Sequence, residues 1–420
     1  MQLRDKKSAT SPRVAVVVIA IFLMAAFASL AGCGSSSTSP QTRLYVVEYG
    51  NSRVLIYNAP FTTGESASVV LGQAAFNVDV VGPPATATGM GLPLMAALDS
   101  AGNLYVSDYS LHRVLQFTPP FTTGMAAGLA VGQAAGATNL TTNAQTLSAA
   151  GMSGPDGIAV DSSGNLWVAD SNWGRVLMYP APITAGEAAT VVLGQPSGAF
   201  AGCNQFLAAP TANTLCNPTA IAFDSSGNLW VVDNSNQRVL MYPKANLVTD
   251  GAATVELGQP AATAFTSSTA NNGGISATSL NFGVGILGTG LAFDSTGNLW
   301  VSDVGNNRVL MYPKANLVIN GAATVELGQP AATAFTSGVA NNGGISASTL
   351  AGPCELAFDS NGDLAVTDFS NSRTLGFTPP FTTGMAASVV LGQANFTTGT
   401  FDTGGESATT QGGPVGVAFH

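Results

Sequence analysis

The fold is decided by residues 153–180, SGPDGIAVDSSGNLWVADSNWGRVLMYP, in which turn residues separate three short apolar runs. These runs are residues 157–160, 166–169 and 175–179. They carry Val, Ile, Trp and Tyr, which favour strands, and they are too short for helices. Gly164 and Asn165 tolerate the positive φ that a tight hairpin turn requires. The stretch therefore predicts three consecutive strands of an antiparallel meander.

The same pattern recurs six times along the chain, and internal repeats of this kind define the architecture. An arginine opens the third strand of each copy: Arg53, Arg113, Arg175, Arg238, Arg308 and Arg373. An acid closes the second strand: Glu48, Asp108, Asp170, Asp233, Asp303 and Asp368. A fourth apolar element follows and ends in Gly-Gln, at Gln73, Gln133, Gln195, Gln259, Gln329 and Gln393. The sequence thus predicts six units of four strands, with a long insertion between consecutive units.

The first and last copies are incomplete in complementary ways. The first copy starts directly at its second strand, residues 44–48, whereas residues 413–420 supply only a first strand. A terminal strand that completes the first unit would leave no open seam between the first and last units. We therefore predict an all-β fold, a six-bladed β-propeller of four-stranded antiparallel blades, with its ring closed by the C-terminal strand.

The repeated pattern also resembles a known family. Gly-(Ile/Leu)-Ala-(Val/Phe)-Asp, Gly-Asn-Leu-(Trp/Tyr)-Val-x-Asp and Asn-x-Arg-Val are similar to the NHL repeat, which builds six-bladed β-propellers. The resemblance covers residues 43–420 and implies the same fold. The sixth copy departs from the pattern, because Ala365 replaces the aromatic residue of the second strand and Thr374 replaces Val.

The N-terminus has the features of an export signal. Basic residues precede an uncharged apolar run at 14–28, which leads into LAGC at residues 30–33. This tetrapeptide resembles the lipobox of bacterial lipoproteins, which implies cleavage before Cys33 and diacylation of that residue. The alternative is an uncleaved transmembrane anchor, because the apolar run is nearly long enough to span a bilayer.

Both alternatives place the globular part outside the cytoplasm. The domain prediction is a signal peptide at 1–32, a lipidated Cys33 with a flexible tether over 33–42, and the propeller at 43–420. By analogy with lipoprotein sorting, Gly34 after the cysteine favours an outer membrane or cell surface. The protein is therefore expected in the cell envelope, anchored through lipid on the extracytoplasmic side.

Composition restricts the function further. The formal net charge is -10, only 9% of the residues are charged, and no basic cluster occurs beyond the extreme N-terminus. Nucleic-acid binding is excluded on this basis, since phosphate neutralisation needs clustered Lys or Arg. The recurring acid and arginine pairs flank one turn in every copy. We interpret them, like the recurring Trp and Tyr residues, as structural parts of the blade.

Few residues have the chemistry of a catalytic or metal site. The chain has two histidines, His112 and His420, whereas the lyase branch of the resembled family uses a His-ligated metal. Among the residues that enter the first strands, the acids are Asp156 and Glu355, weak candidates for a cation site that would need six or more oxygens. No catalytic residue, resident metal or other cofactor is predicted.

The remaining candidates concern binding and stability. Asp156, Thr219, Thr289 and Glu355 lie where first strands enter the expected central channel, and Trp173 lies in a turn. These five residues are the candidate binding residues. Cys203 and Cys216 are expected to form a disulfide within one insertion, and Cys354 is expected to be a free thiol, partly buried.

We conclude that the sequence predicts a lipid-anchored, non-enzymatic binding or scaffolding propeller for an unknown protein or glycan partner in the envelope. Its six long insertions, rich in Ala, Thr, Ser, Asn and Gly, are the expected recognition surface. Two alternatives remain open. One is a lyase-type or lactonase-type enzyme with a divalent cation in the channel, and the other is a glycan-binding propeller.

Overall fold

Short runs of β-branched and aromatic residues bounded by turns form the strands of the computed structural model. The structure describes residues 42–420 apart from 79, 81, 83, 137, 284–287 and 403–404. In chain order the strands of these residues are β1 Arg43–Glu48, β2 Arg53–Asn58, β3 Val69–Leu71, β4 Pro93–Leu98, β5 Leu104–Asp108, β6 Arg113–Phe117, β7 Leu129–Val131, β8 Pro155–Val160, β9 Leu166–Asp170, β10 Arg175–Tyr179, β11 Val191–Leu193, β12 Pro218–Phe223, β13 Leu229–Asp233, β14 Arg238–Tyr242, β15 Val255–Leu257, β16 Leu291–Phe293, β17 Leu299–Asp303, β18 Arg308–Tyr312, β19 Val325–Leu327, β20 Pro353–Phe358, β21 Leu364–Asp368, β22 Arg373–Phe377, β23 Val389–Leu391 and β24 Pro414–Phe419.

The helices of the described residues are short 3-10 turns. They span Tyr109–Leu111, Ser171–Trp173, Cys203–Phe206, Asn234–Asn236, Lys244–Asn246, Ala261–Thr263, Val304–Asn306, Lys314–Asn316, Ala331–Thr333 and Phe369–Asn371. None of the helices in the described part of the chain is long and apolar enough to cross a membrane.

Six antiparallel four-stranded sheets form the blades, which confirms the predicted fold class. Blade 1 has the order β24-β1-β2-β3, and blades 2 to 6 are β4–β7, β8–β11, β12–β15, β16–β19 and β20–β23. The closing strand β24 pairs with β1 in antiparallel register from Leu44↔Phe419 to Glu48↔Pro414. The C-terminal strand therefore completes the first blade, as the sequence predicts.

The meander gives the propeller two different faces. Hairpins between first and second strands, and turns between third and fourth strands, form one face, which we call the hairpin face. The opposite face, the loop face, consists of the turns between second and third strands and of the insertions between blades. These insertions are residues 72–92, 132–154, 194–217, 258–290, 328–352 and 392–413.

Large aromatic residues fill the junctions between blades. Trp167 packs edge-on against Phe223 of the next blade with 5.6 Å between ring centroids, and Trp230 packs on Phe293 at 5.9 Å. Each indole also donates a hydrogen bond to the Asp of its own hairpin, as Trp167 does to Asp161 at 3.0 Å. The interpretation of these aromatics as packing residues is thus confirmed.

The structure does not test the predictions for the N-terminus. The predicted signal peptide, the lipidated Cys33 and the tether up to residue 41 lie outside the described residues.

Candidate functional site

The recurring arginines anchor the insertions of the loop face. In blade 3, Arg175 Nε donates to Asp170 Oδ2 at 2.7 Å, and both side chains are fully buried. Its Nη1 donates to the carbonyl of Gly198 in the insertion that leaves the blade, at 2.6 Å. Its Nη2 donates to the carbonyls of Ser148 and Gly151 in the insertion that enters the blade, at 3.0 and 2.9 Å. One guanidinium therefore fixes the insertions on both sides of its blade.

The other blades repeat this arrangement, except that Nη1 of Arg238 and of Arg308 donates to a glutamate of the fourth strand, Glu256 or Glu326, and not to an insertion carbonyl. Buried pairs join Arg53 to Glu48, Arg113 to Asp108, Arg238 to Asp233, Arg308 to Asp303 and Arg373 to Asp368. The Gly-Gln element that follows each fourth strand adds a second anchor. Gln195 Nε2, for example, donates to the carbonyls of Gly174 in the turn and Gly202 in the insertion, at 2.8 and 2.7 Å. These recurring polar residues are structural, in agreement with their interpretation from the sequence.

Side chains that enter the first strands close the propeller axis at its loop-face end. They are Leu94, Asp156, Thr219, Thr289, Cys354 and Val415, and all are buried. The Thr219 and Thr289 hydroxyls, from blades 4 and 5, lie 2.6 Å apart. Blade 3 also approaches blade 4 closely, which requires glycine at position 157, because a Cβ on Gly157 would lie 2.7 Å from the Thr219 carbonyl oxygen. The structure thus brings three of the predicted binding residues together, as a sealed plug.

Asp156 is the most unusual member of this plug. Its Oδ2 accepts one long hydrogen bond from the backbone N–H of Gly288 at 3.5 Å, and its Oδ1 has no hydrogen-bond partner among the described residues. Burial raises the pKa of Asp156 well above the ordinary value, and the single backbone donor opposes this only weakly. Asp156 is not among the residues that line the cavity of the central channel.

Glu355 is the polar group of the channel itself. A cavity of about 300 Å³ lies along the axis and is lined mostly by small and apolar residues of all six inner strands. Glu355 lines this cavity, and its Oε1 accepts a hydrogen bond from the Leu356 N–H at 3.2 Å. Burial raises the pKa of Glu355 well above its usual range, and the nearby Asp156 carboxyl raises it further. The two acids do not meet in one cavity.

Trp173 lies on the loop face and is half-buried. The Cζ atom of Arg175 lies 4.7 Å from the centroid of its ring, so the indole covers the buried ion pair of its own blade. The Trp173 carbonyl also accepts a hydrogen bond from Gln195 at 3.2 Å. The structure therefore gives this residue a packing role.

The described residues contain no group of three or more His, Cys, Asp or Glu that could hold a metal ion. His112 lies in a turn with φ 52°, and its Nδ1 accepts a hydrogen bond from the Gly154 N–H at 3.2 Å. Burial lowers the pKa of His112. Cys354 is a free thiol, as expected, but at 1% exposure it is fully and not partly buried; burial, followed by the Asp156 charge, raises its pKa.

Sequence reasoning missed an apolar tip on the third insertion. Cys203 and Cys216 are joined by a disulfide across a sequence separation of 13. The 3-10 turn that starts at Cys203 ends at Phe206, and Phe206 and Leu207 are 75% and 51% exposed. The signal in the sequence is the pair Phe-Leu inside a cysteine-bounded loop whose other residues, apart from Pro210 and Leu215, are small or polar.

Comparison with known proteins finds a match to one repeat family and similarity to several solved structures. The NHL repeat model matches residues 152–179 and 215–242. No curated protein matches the sequence. Similar solved structures include virginiamycin B lyase from Staphylococcus aureus, at 13% identity and a TM-score of 0.42, covering 80% of this chain and 78% of that chain.

Two further structures have similar coverage. One is a protein of unknown function from Bacteroides caccae, at 10% identity, a TM-score of 0.49, and coverage of 90% of this chain and 98% of that chain. The other is a chain from a nidogen/laminin complex, at 14% identity, a TM-score of 0.45, and coverage of 90% and 98%. The six four-stranded sheets make the chain a six-bladed β-propeller, and two of its blades, 3 and 4, match the NHL repeat model.

Proposed function

We propose that this propeller is a lipid-anchored, extracytoplasmic, non-enzymatic binding or scaffolding protein whose loop face docks a protein partner of the envelope or extracellular space. The observation that carries the proposal is the exposed pair Phe206 and Leu207 at the tip of a disulfide-closed insertion. Large apolar side chains that are exposed to solvent lower solubility, and they are typical of protein interaction surfaces.

The tip is held in place by more than the disulfide. Asn204 Nδ2 donates to Asn236 Oδ1 at 3.0 Å, and the Asn204 N–H donates to the Leu215 carbonyl at 2.9 Å. Gln205 Nε2 donates to Asp250 Oδ1 at 3.0 Å. A side chain that is already ordered loses little conformational entropy on binding, which favours affinity.

Further apolar residues occur on the same face. They are Val80, Leu147, Val339, Phe369 and Phe401, with exposures of 48%, 42%, 58%, 36% and 55%. All but Phe369 belong to insertions, and Phe369 lies in the turn between β21 and β22. The insertions therefore present separated apolar contacts on a polar, nearly uncharged background, as a protein interface does.

The anchor proposed at Cys33 is compatible with this use of the loop face. Strand β1 begins at Arg43 on the hairpin face. The chain therefore enters the propeller on the side opposite the insertions. A lipid anchor attached there would leave the loop face accessible.

Glycan binding has less support. The recurring indoles Trp167, Trp230 and Trp300 are at most 2% exposed and are hydrogen-bonded within their blades, so they offer no stacking platform.

A crosslinking experiment on the full chain in its native envelope tests the proposal. The double variant Phe206→Ser/Leu207→Ser should reduce the yield of crosslinked partner by about tenfold or more, since removal of central apolar anchors typically costs 2 kcal/mol or more. The matched control is Val318→Ser/Ile319→Ser, which changes two residues, 54% and 39% exposed, on the hairpin face.

The melting temperature should change little, and by a similar amount, in both variants, because all four side chains are at least 39% exposed. Equal partner yields from the two double variants and the unchanged chain would contradict docking on the loop face.

A further inference from the structure

We propose that the junction between blades 6 and 1 is a binding site for a small aromatic amine, a flat ring that carries an ammonium group or an N–H donor. A cavity of about 500 Å³ opens there on the hairpin face, within the range of small-molecule sites. This site is independent of the loop face and lies on the opposite side of the disc.

The neighbouring junction shows what normally fills this space. Between blades 5 and 6, Trp300 packs edge-on against Phe358 and Phe381, with ring centroids 5.7 and 4.8 Å away. Its indole N–H donates to Asp294 Oδ2 at 3.2 Å, and Met311 lies opposite it in register on β18. One side chain therefore combines an apolar ring and a donor directed at a carboxylate.

Blade 6 lacks this side chain. Ala365 stands at the position of Trp300, and Gly376 stands opposite Ala365 in the same register as Met311 opposite Trp300. The two phenylalanines of the junction are nevertheless present as Phe419 and Phe61, with their ring centroids 5.9 Å apart, and both line the cavity. Because blade 6 has neither the indole nor the methionine side chain, an apolar cavity remains, and the rings of Phe61 and Phe419 form part of its wall.

The carboxylate that would receive the indole donor is also present. Asp359 occupies the hairpin position of Asp294, and its Oδ2 accepts only from Asn361 Nδ2 at 3.2 Å among the described residues. The blade 5 carboxylate accepts on its Oδ2 from both Asn298 and Trp300. At the rim of the cavity, Asp359 Oδ2 therefore accepts one hydrogen bond fewer than the equivalent oxygen of Asp294 in blade 5.

A second acid strengthens the negative charge at this rim. Asp363 stands where blade 5 has Asn298, whose Oδ1 accepts from the Lys314 N–H at 3.0 Å. In blade 6 the equivalent donor position is Pro379, which has no N–H. Among the residues that line this cavity, all of them in the described part of the chain, there is no Lys, Arg or His. Two carboxylates without a cation, beside these two aromatic rings, favour a cationic aromatic ligand.

The test uses tryptamine as the probe, because it has the indole of the missing side chain and an ammonium group. Isothermal titration calorimetry of the full chain should give a stoichiometry of one tryptamine per propeller. Neutral indole should bind more weakly. Ala365→Trp should abolish the binding and raise the melting temperature, because the new indole fills the cavity and donates to Asp359.

The charge contribution is tested separately. Asp359→Asn/Asp363→Asn should weaken tryptamine binding by about tenfold and indole binding by less, since charge-assisted hydrogen bonds are about twice as strong as neutral ones and only tryptamine carries a positive charge. The matched control is Asp224→Asn, which alters the same hairpin position in blade 4, where Trp230 already donates to this carboxylate. It should leave tryptamine binding intact.

Two outcomes overturn the proposal: no binding of tryptamine, or binding that Ala365→Trp leaves unchanged. If Ala365→Trp does not fold, Gly376→Met fills the cavity from the opposite strand. Tryptamine binding that survives both Gly376→Met and the double Asp variant would likewise overturn it.

Discussion

At the scale of single residues, two aspartates of blade 3, Asp156 and Asp161, have pKa values that are shifted in opposite directions. Burial alone would raise the pKa of Asp161, but donors from Trp167, Asn165 and the Ser163 N–H hold it below its usual value. Asp156 has only the distant Gly288 N–H, so burial prevails and its pKa is raised well above the ordinary range. Asp156 is fully buried and Asp161 only partly, so burial and the number of donors together set the opposite directions of the two pKa shifts.

Asp156→Asn should change how stability depends on pH. A carboxyl with a raised folded pKa keeps its proton when the unfolded chain has lost it, so stability falls as pH rises above the unfolded pKa towards the folded one. The amide does not titrate, so the variant should lose less stability than the parent chain as pH rises from 4 to 7. Urea unfolding at the two pH values measures the difference.

Asp161→Asn is the control with the opposite sign. The folded pKa of Asp161 is depressed, so its contribution is present above the unfolded pKa and is lost as pH falls through the folded pKa. The variant should therefore be destabilised at pH 7 more than at pH 3. If both variants respond to pH in the same direction, the raised pKa assigned to Asp156 is wrong.

At the scale of the element, the insertions are ordered parts of the propeller. Buried guanidinium and amide groups, such as those of Arg175 and Gln195, bind backbone carbonyls that no strand pairs. The third insertion has the disulfide in addition, and it presents the exposed pair Phe206 and Leu207. Loops so fixed can offer a preformed surface.

Cys203→Ser/Cys216→Ser should lower the free energy of unfolding by about 3 kcal/mol, because the disulfide restricts the unfolded chain over a sequence separation of 13. Urea denaturation of the variant and of the parent chain measures this. Reductant should destabilise the parent chain equally and leave the variant unaffected.

Cys354→Ala is the control for the loss of a cysteine. The buried thiol is not bonded to another cysteine, so its removal should leave the response to reductant as in the parent chain. A parent chain whose stability is insensitive to reductant would contradict the role given to the disulfide.

At the scale of the whole molecule, stability depends on closure of the ring. Strand β24 is the inner strand of blade 1, and Val415, Val417 and Ala418 on it are almost fully buried. Two further bonds join the chain ends, from Arg43 N–H to the His420 carbonyl and from His420 N–H to the Arg43 carbonyl. Closure leaves no unpaired inner edge between blades 6 and 1.

Deletion of residues 412–420 should therefore lower stability sharply, by about 5 kcal/mol or more, since each large buried side chain contributes about 1.5 to 3 kcal/mol. Thermal unfolding followed by circular dichroism measures the loss. Deletion of His420 alone, which leaves β24 intact, is the control and should have a small effect. A truncated chain that melts with the parent would show that closure does not stabilise the ring.

The sequence alone was enough to predict the blade, the number of blades and the closing strand. Each depends on residues that are close in the chain, such as the Asp161 turn, or on repetition, such as the arginine that opens each third strand. Turn chemistry and strand periodicity are local properties, so they can be read without coordinates. The same holds for Ala365, which the repeats mark as a departure from the pattern.

Only the tertiary structure decided what the departures and candidate residues do. Asp156 and Gly288 are 132 residues apart and meet at the axis, so the carboxyl belongs to a sealed plug and not to the channel cavity. Phe61 and Phe419 come from opposite ends of the chain and flank the space that Ala365 leaves empty. Burial, and the cavity it leaves, depend on packing between distant segments, which no local pattern in the sequence encodes.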